Sequence, residues 1–209
     1  MLEKHMITNF TQEEIENNHL QYVSRLSFYK EQGFDQIRAR QNIIKQLNKD
    51  CLTVLEIGTG KGYLTKEIAK KYKTVVSIDL DPVDQRIAAL NAAYENVSDR
   101  IEFIIDNGEK LKFPDNFFDV VISAFTFHHL VKPFTVIDEM MRLTGKQLII
   151  SDFNEKGFAI INKSHDLEGR KHDKGSNDFN IVGMYLENYG FKVKKVADLE
   201  QIIFIAERW

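Results

Sequence analysis

The sequence is poor in the residues that cross-link or stiffen a chain. Among 209 residues it has one cysteine (Cys51), three prolines and one tryptophan. A lone cysteine forms no intramolecular disulfide, so the fold must rest on its core, and nothing calls for an oxidising compartment. No run approaches the roughly 18 consecutive apolar residues of a membrane helix. The N-terminus lacks the basic and apolar regions of a signal peptide, so the cytoplasm is the expected location, with no membrane partner. Positive charge is not in surplus either. The 28 basic and 31 acidic side chains leave a formal charge of −3, whereas a large nucleic-acid footprint needs a basic face. Nucleic acid is therefore not the expected partner. Internal repeats, low-complexity tracts and linkers are also missing.

The 43% hydrophobic and 28% charged fractions are those of a globular domain, long enough here to bury a full sheet between helices. Thr11 and Glu14 have the spacing of a capping box, predicting a helix that runs to about Glu31. After Gly33, Asp35 can cap a second helix with an apolar face of Phe34, Ile37, Ile44 and Leu47. Strands are predicted over 52–57, 74–79, 101–105, 119–124 and 147–151. Helices are predicted over 63–72, 82–93 and 133–142, with Pro82 and Pro133 at first-turn positions. The polar stretch 152–180 carries a candidate helix over 155–167 and a loop over 169–178. A last helix capped by Asn177 or Asp178 ends at Gly190, and the segments 191–196 and 201–206 form a hairpin. Alternating strands and helices followed by a hairpin read as an α/β fold, a parallel sheet finished by an antiparallel strand.

The first strand runs into Gly58, Gly60 and Gly62, and Glu56 stands just ahead of them. Glycines let a backbone turn sharply and let a ligand approach it closely. A dinucleotide fingerprint reads G-x-G-x-x-G, and here the third glycine falls one residue early. The run resembles motif I of the class I S-adenosylmethionine (SAM) methyltransferases, E/D-x-G-x-G-x-G. Ser123 to Leu130 resembles the S-x-x-x-x-H-H-L pattern of their small-molecule members. The resemblance implies a Rossmann-like mixed sheet of seven strands in the order 3-2-1-4-5-7-6, strand 7 antiparallel, with helices on both faces. Residues 1–209 then form a single domain: a helical cap over 1–33 and a cofactor-binding core over 34–209. Residues 152–180 would serve as a lid or acceptor-pocket insertion.

The cofactor implied is SAM, with S-adenosylhomocysteine (SAH) as product. The resemblance assigns Asp79, at the end of the second strand and followed by Leu80, to the ribose diol. It assigns Asn107, or one residue earlier Asp106, to the adenine, with the Gly108 amide beside it. Glu56 can orient the methionine ammonium or bond loop amides, and Gly58, Thr59, Gly60 and Gly62 form the loop itself. Ala124 and Phe125 would offer a carbonyl and an apolar side chain. No metal is expected, since catechol-type enzymes need clustered acids where only Asp152 and Asn154 stand. The segment 165–174 reads as a solvated loop first, then as a lid that meets an anionic substrate, and least as a metal site. If the acceptor must lose a proton, the candidate bases are His128, His129, His165, His172, Tyr29 and Asp152. Orientation of the loop is the competing role for the paired histidines. The expected activity is methyl transfer to a small-molecule acceptor. The alternatives are a protein or RNA acceptor, a SAM-binding protein without catalysis, and a nucleotide- or NAD-binding module.

Overall fold

A computed structural model of the chain describes residues 9–169 and 178–208. The elements that build the site are α1 (Gln12–Glu31), α2 (Gln36–Ile44), β1 (Thr53–Ile57), α3 (Thr65–Ala69), β2 (Thr74–Asp79) and α4 (Pro82–Tyr94). They are followed by β3 (Ile101–Ile105), β4 (Phe118–Ala124), α5 (Pro133–Leu143), β5 (Thr144–Phe153) and α6 (Glu155–Leu167). The chain closes with α7 (Val182–Asn188), β6 (Phe191–Ala197) and β7 (Gln201–Arg208). The seven strands form one sheet in the order β3-β2-β1-β4-β5-β7-β6. Its first four pairings are parallel, and β7 runs antiparallel to both β5 and β6.

The central strands are apolar on both faces because both faces are covered. Leu55, Val76, Val121 and Leu148 point into one core with Ile137 and Met140 of α5 and Leu186 of α7. Their neighbours Val54, Val75, Val120 and Ile149 point the other way, onto Ile43 of α2, Ile68 of α3 and Ala92 of α4. Period-two alternation thus decides which helix each strand residue meets.

Local signals set the helix starts. Thr11 and Glu14 make the reciprocal capping box of α1, and Asp81 caps α4 ahead of Pro82. Three elements depart from the sequence expectation. α3 is a short helix, because Gly62 has φ +70° and the Lys71 and Tyr72 amides both turn back to the Ile68 carbonyl. α2 buries Ala39, Ile43 and Ile44, while Ile37, expected on the apolar face, is 48% exposed. β5 extends past Ser151 to Phe153, because its polar end still pairs with β7, Asp152 opposite Ile202 and Phe153 opposite Gln201.

α1 is polar around its circumference and buries only Asn18 and Tyr29. It is held on α4 and α3 by specific contacts instead of an apolar stripe. The Asn18 amide donates to Asn91 (3.1 Å), His19 stacks on Tyr94 with centroids 3.6 Å apart, and the Lys66 ammonium lies 3.8 Å from the Tyr22 ring centre.

Candidate active site

A cavity of about 620 Å³ opens at the carboxyl ends of β1, β2 and β4. In open α/β sheets this is where strand order reverses and where ligands sit. Glu56, the glycine loop and Asp79 line one side, Tyr29, Phe34, Phe125, His128 and Phe153 the other.

The loop after β1 is pinned from below. The Gly58 and Thr59 amides both donate to the Ile78 carbonyl (2.8 and 3.1 Å). Gly58 has φ +89°, and a Cβ there would lie 2.0 Å from the Thr126 hydroxyl oxygen. Only glycine fits both conditions. The contact also seats the loop after β4 directly on the glycine loop. Gly62 and Gly108 shape this end of the fold without lining the cavity. A Cβ on Gly62 would meet that of Ala88 at 2.6 Å, and Gly108 packs on Ile57.

Asp79 lines the cavity and is already organised by its neighbours. Its Oδ2 accepts from the Gly60 amide (2.7 Å) and its Oδ1 from the Asp81 amide (3.0 Å). Capping of α4 is left to Asp81, whose side chain accepts from Val83 and Asp84. Leu80 is exposed beside it. Asp106 and Asn107 both line the cavity, and each is engaged by a turn amide two residues on, Gly108 and Glu109 (3.0 Å each).

Glu56 is 1% exposed. Its Oε2 accepts from the hydroxyls of Thr65 and Ser77, so side-chain hydroxyls hold it where loop amides had been the alternative. Burial outweighs those bonds and pushes its carboxyl up to about 7. Near the same wall stands Arg40, a residue that no sequence signal singled out. Its guanidinium lies over the rings of Tyr63 (5.2 Å) and Phe125 (5.7 Å). Its Nη1 donates to the Gln36 backbone and side-chain oxygens (3.0 and 3.1 Å). Among the described residues no carboxylate forms an ion pair with it. Burial lowers its pKa, and the field of Glu56 opposes that shift. Two residues earlier, Arg38 faces the opposite way and pairs with Glu200 and Asp198.

This wall fits a zwitterionic adenosyl ligand. Arg40 supplies a cation and Glu56 a carboxyl group, and the fold does not pair the two by hydrogen bond. Each is suited to one end of an amino-acid group, with Asp79 suited to a diol. Charged groups in partly dry surroundings gain most from a ligand that completes them.

The far wall is aromatic. Phe125, at the end of β4, takes φ +56°, an uncommon conformation for a non-glycine residue and one that clusters at functional sites. Its ring lies 4.7 Å from that of Phe153 and 5.8 Å from that of Phe34. Ala124 lines the cavity beside it. Tyr29 is buried and donates its hydroxyl proton to Glu168 (3.2 Å). Arg25 pairs with the same carboxylate (3.5 Å). These contacts tie α1 to the end of α6 across the cavity.

The paired histidines part company. His129 is exposed. His128 is 3% exposed and Asp152 fully buried. The Asp152 carboxylate accepts from the His128 amide (2.9 Å) and meets its Nδ1 at 2.7 Å. His165 also lines the cavity, whereas His172 lies outside the described residues. No helix of the described residues is long and apolar enough to cross a membrane.

Comparison with known proteins places this geometry among relatives. A methyltransferase-domain family matches residues 55–149. The ubiquinone/menaquinone biosynthesis C-methyltransferase UbiE of Hahella chejuensis is 29% identical over 140 residues, covering 65% of this chain and 56% of UbiE. The chain thus spans about half the length of the curated relatives it matches. A SAM-dependent methyltransferase from Aquifex aeolicus shares the fold at a TM-score of 0.60 and 25% identity, covering 96% of this chain and 100% of that one. The magnesium protoporphyrin IX methyltransferase of Synechocystis, solved with bound SAH, superposes at a TM-score of 0.60 with 17% identity over 97% of this chain and 88% of its own.

Proposed function

We propose that this chain, which belongs to the class I SAM-dependent methyltransferases and uses SAM as its cofactor, transfers a methyl group to a small-molecule acceptor. SAM supplies a methyl carbon already activated by a positively charged sulfur. The protein's work is therefore chiefly alignment and exclusion of water, worth up to roughly 7–11 kcal/mol in favourable cases. Asp79 would hold the ribose diol, Asp106 or Asn107 the adenine, Glu56 the ammonium and Arg40 the carboxylate of the methionine part. The glycine loop would pass beneath them, and Ala124 and Phe125 would bound the sulfonium side.

One observation carries the reading: a single cavity joins the charged wall of Glu56, Asp79 and Arg40 to the aromatic wall of Phe34, Phe125 and Phe153. α1 and α6 meet across that cavity through Tyr29, Arg25 and Glu168, which favours a small acceptor over a polymer. The relatives are named as C-methyltransferases of ubiquinone and menaquinone biosynthesis, a small-molecule chemistry of the same kind. With the helical cap over 1–33 and residues 152–180 as its covering elements, residues 34–209 would act as one catalytic core. We place it in the cytoplasm.

The test is calorimetric titration with SAH and, separately, NAD. Wild type should bind SAH and give no heat with NAD. Asp79→Ala should lose roughly 10- to 100-fold in SAH affinity, the worth of one hydrogen bond to a charged group. Wild type that ignores SAH would sink the reading.

A further inference from the structure

A second cavity, of about 370 Å³, opens between α1, α2 and the segment around α3. It shares Gln36, Arg40 and Tyr63 with the cofactor cavity and none of the other lining, so these three side chains stand between the two. Its volume falls in the range of small-molecule sites, about 300–1,000 Å³. One side is apolar, formed by Leu26 of α1 with Ile37 and Ile44 of α2. Residues 37 and 44 are two turns apart on one helix face. The half-exposed Ile37 therefore borders this cavity instead of joining the core beneath the sheet.

The charged groups of the lining are of nearly one sign. Arg40, Lys45 and Lys71 are cations, and Glu67 is the single acid among the described residues. Glu67 is already engaged by Lys70 (2.8 Å). Among the described residues neither Lys45 nor Lys71 pairs with a carboxylate, and Lys45 donates only to the Asn42 side-chain oxygen (3.3 Å). The nearby Lys66 adds no free charge, since it lies over the Tyr22 ring (3.8 Å) and pairs with Glu95 (3.0 Å).

Two tyrosines add donors. Tyr63 is 8% exposed, and its ring lies 4.8 Å from that of Tyr22. Neither hydroxyl has a hydrogen-bond partner among the described residues. Burial pushes both phenols up, Tyr63 to about 12, so both keep their protons and can donate. A hydroxyl that is largely buried and lacks an acceptor gains from a ligand that brings one.

We propose that this cavity is a second binding site, for a small organic anion with an apolar chain such as a medium-chain carboxylate, and that an anion held there weakens cofactor binding. The chain covers Leu26, Ile37 and Ile44. The carboxylate accepts from the tyrosine hydroxyls beside Arg40, and Lys45 and Lys71 draw it to the opening. Arg40 is the cation common to both cavities, and two anions that share it repel each other. Such coupling is reciprocal, so each ligand lowers the affinity of the other by the same factor. The site stands on its own residues, whereas the coupling rests on the methyl-transfer reading, which sets the cofactor carboxylate on Arg40.

The probe is octanoate, with octylamine as its cationic counterpart, titrated calorimetrically into the full chain without SAH. Octanoate should bind at least ~10-fold more tightly than octylamine, as hydrogen bonds to a charged group would give. Ile37→Asp sets a like charge on the apolar side and should cost octanoate at least ~10-fold while SAH binding stays as it was. Joint Lys45→Glu and Lys71→Glu, both at exposed positions, should weaken octanoate by about 2- to 5-fold. Methyl NMR should show Ile37 and Ile44 shifting as octanoate is added. Saturating octanoate should lower SAH affinity by ~5-fold or more, and Arg40→Met should abolish that effect. Octanoate that does not bind, that binds no better than octylamine, or that is indifferent to Ile37→Asp overturns the site. Octanoate bound with SAH affinity unchanged overturns the coupling. Wild type that binds octanoate and ignores SAH overturns the methyl-transfer reading and leaves the second site standing.

Discussion

The two walls of the cavity are built on different plans. The charged wall comes mainly from β1, β2, β3 and the turns that follow them, Glu56 to Asn107, joined by Arg40 of α2, with the Gly60 backbone amide already fastened to Asp79. The aromatic wall is assembled from α1 and the turn after it, β4 and the turn after it, β5 and α6, with members as far apart in sequence as Tyr29 and His165. The first wall depends on backbone conformation at a few positions, the second on side chains brought together from remote elements. A cofactor of fixed shape suits a backbone cradle, while a wall of exchangeable side chains can be retuned for another acceptor without disturbing the sheet.

The sharpest way to break this contrast is Gly58→Val. Its Cβ would fall inside the Thr126 side chain at a backbone angle valine avoids, so a loss of about 3 kcal/mol or more in stability is expected, measured by denaturant unfolding. Both walls should suffer, because Thr126 belongs to the loop that carries His128.

Glu56→Gln should act mainly through pH. With its carboxyl raised to about 7 in the fold against 4.5 in the open chain, the native protein holds this proton more tightly. Stability without ligand is therefore full below about 4.5 and declines as pH rises through 7, by on the order of 3 kcal/mol from this group. Unfolding curves at pH 5 and 8 should differ less in Glu56→Gln than in wild type. An equal difference would show that the carboxyl is not perturbed.

Arg40→Met keeps the packing against Tyr63 and removes the charge. SAH affinity should drop roughly 10-fold or more, and the drop should vanish for a ligand lacking the carboxylate. Smallest of all, Tyr29→Phe should change stability by less than about 1 kcal/mol, since the Glu168 carboxylate it bonds also has Arg25 and is partly exposed. SAH binding should hardly move. A large loss of SAH affinity in Tyr29→Phe would erase the distinction between the walls.

The sheet was legible in the sequence because its strands are nearly continuous apolar runs bounded by turn residues, and the resemblance at Glu56 to Gly62 supplied their order. β5 was read short because Asp152 is polar, and polarity at a strand end looks like the beginning of a loop. The pairing that keeps Asp152 in the strand comes from β7 alongside it, more than forty residues later in the chain. α2 was assigned the wrong inward face at Ile37, since a nine-residue helix gives periodicity little to work with. Arg38 and Arg40 are alike in sequence, and only the placement of Glu200 and Asp198 against α2 distinguishes the structural arginine from the one in the cavity.

Position along the chain was thus enough for whatever depends on local backbone: the glycine loop, the caps at Thr11 and Asp81, and the carboxylate that ends β2. These are set by the conformational preferences of a few adjacent residues. Side-chain pairings across the fold were decided only by tertiary structure. The contact of Asp152 with His128, the burial that lifts Glu56, and the arginine left over by the ion pairs all arise where distant segments meet. Desolvation and hydrogen-bond geometry there depend on neighbours that the local sequence does not contain.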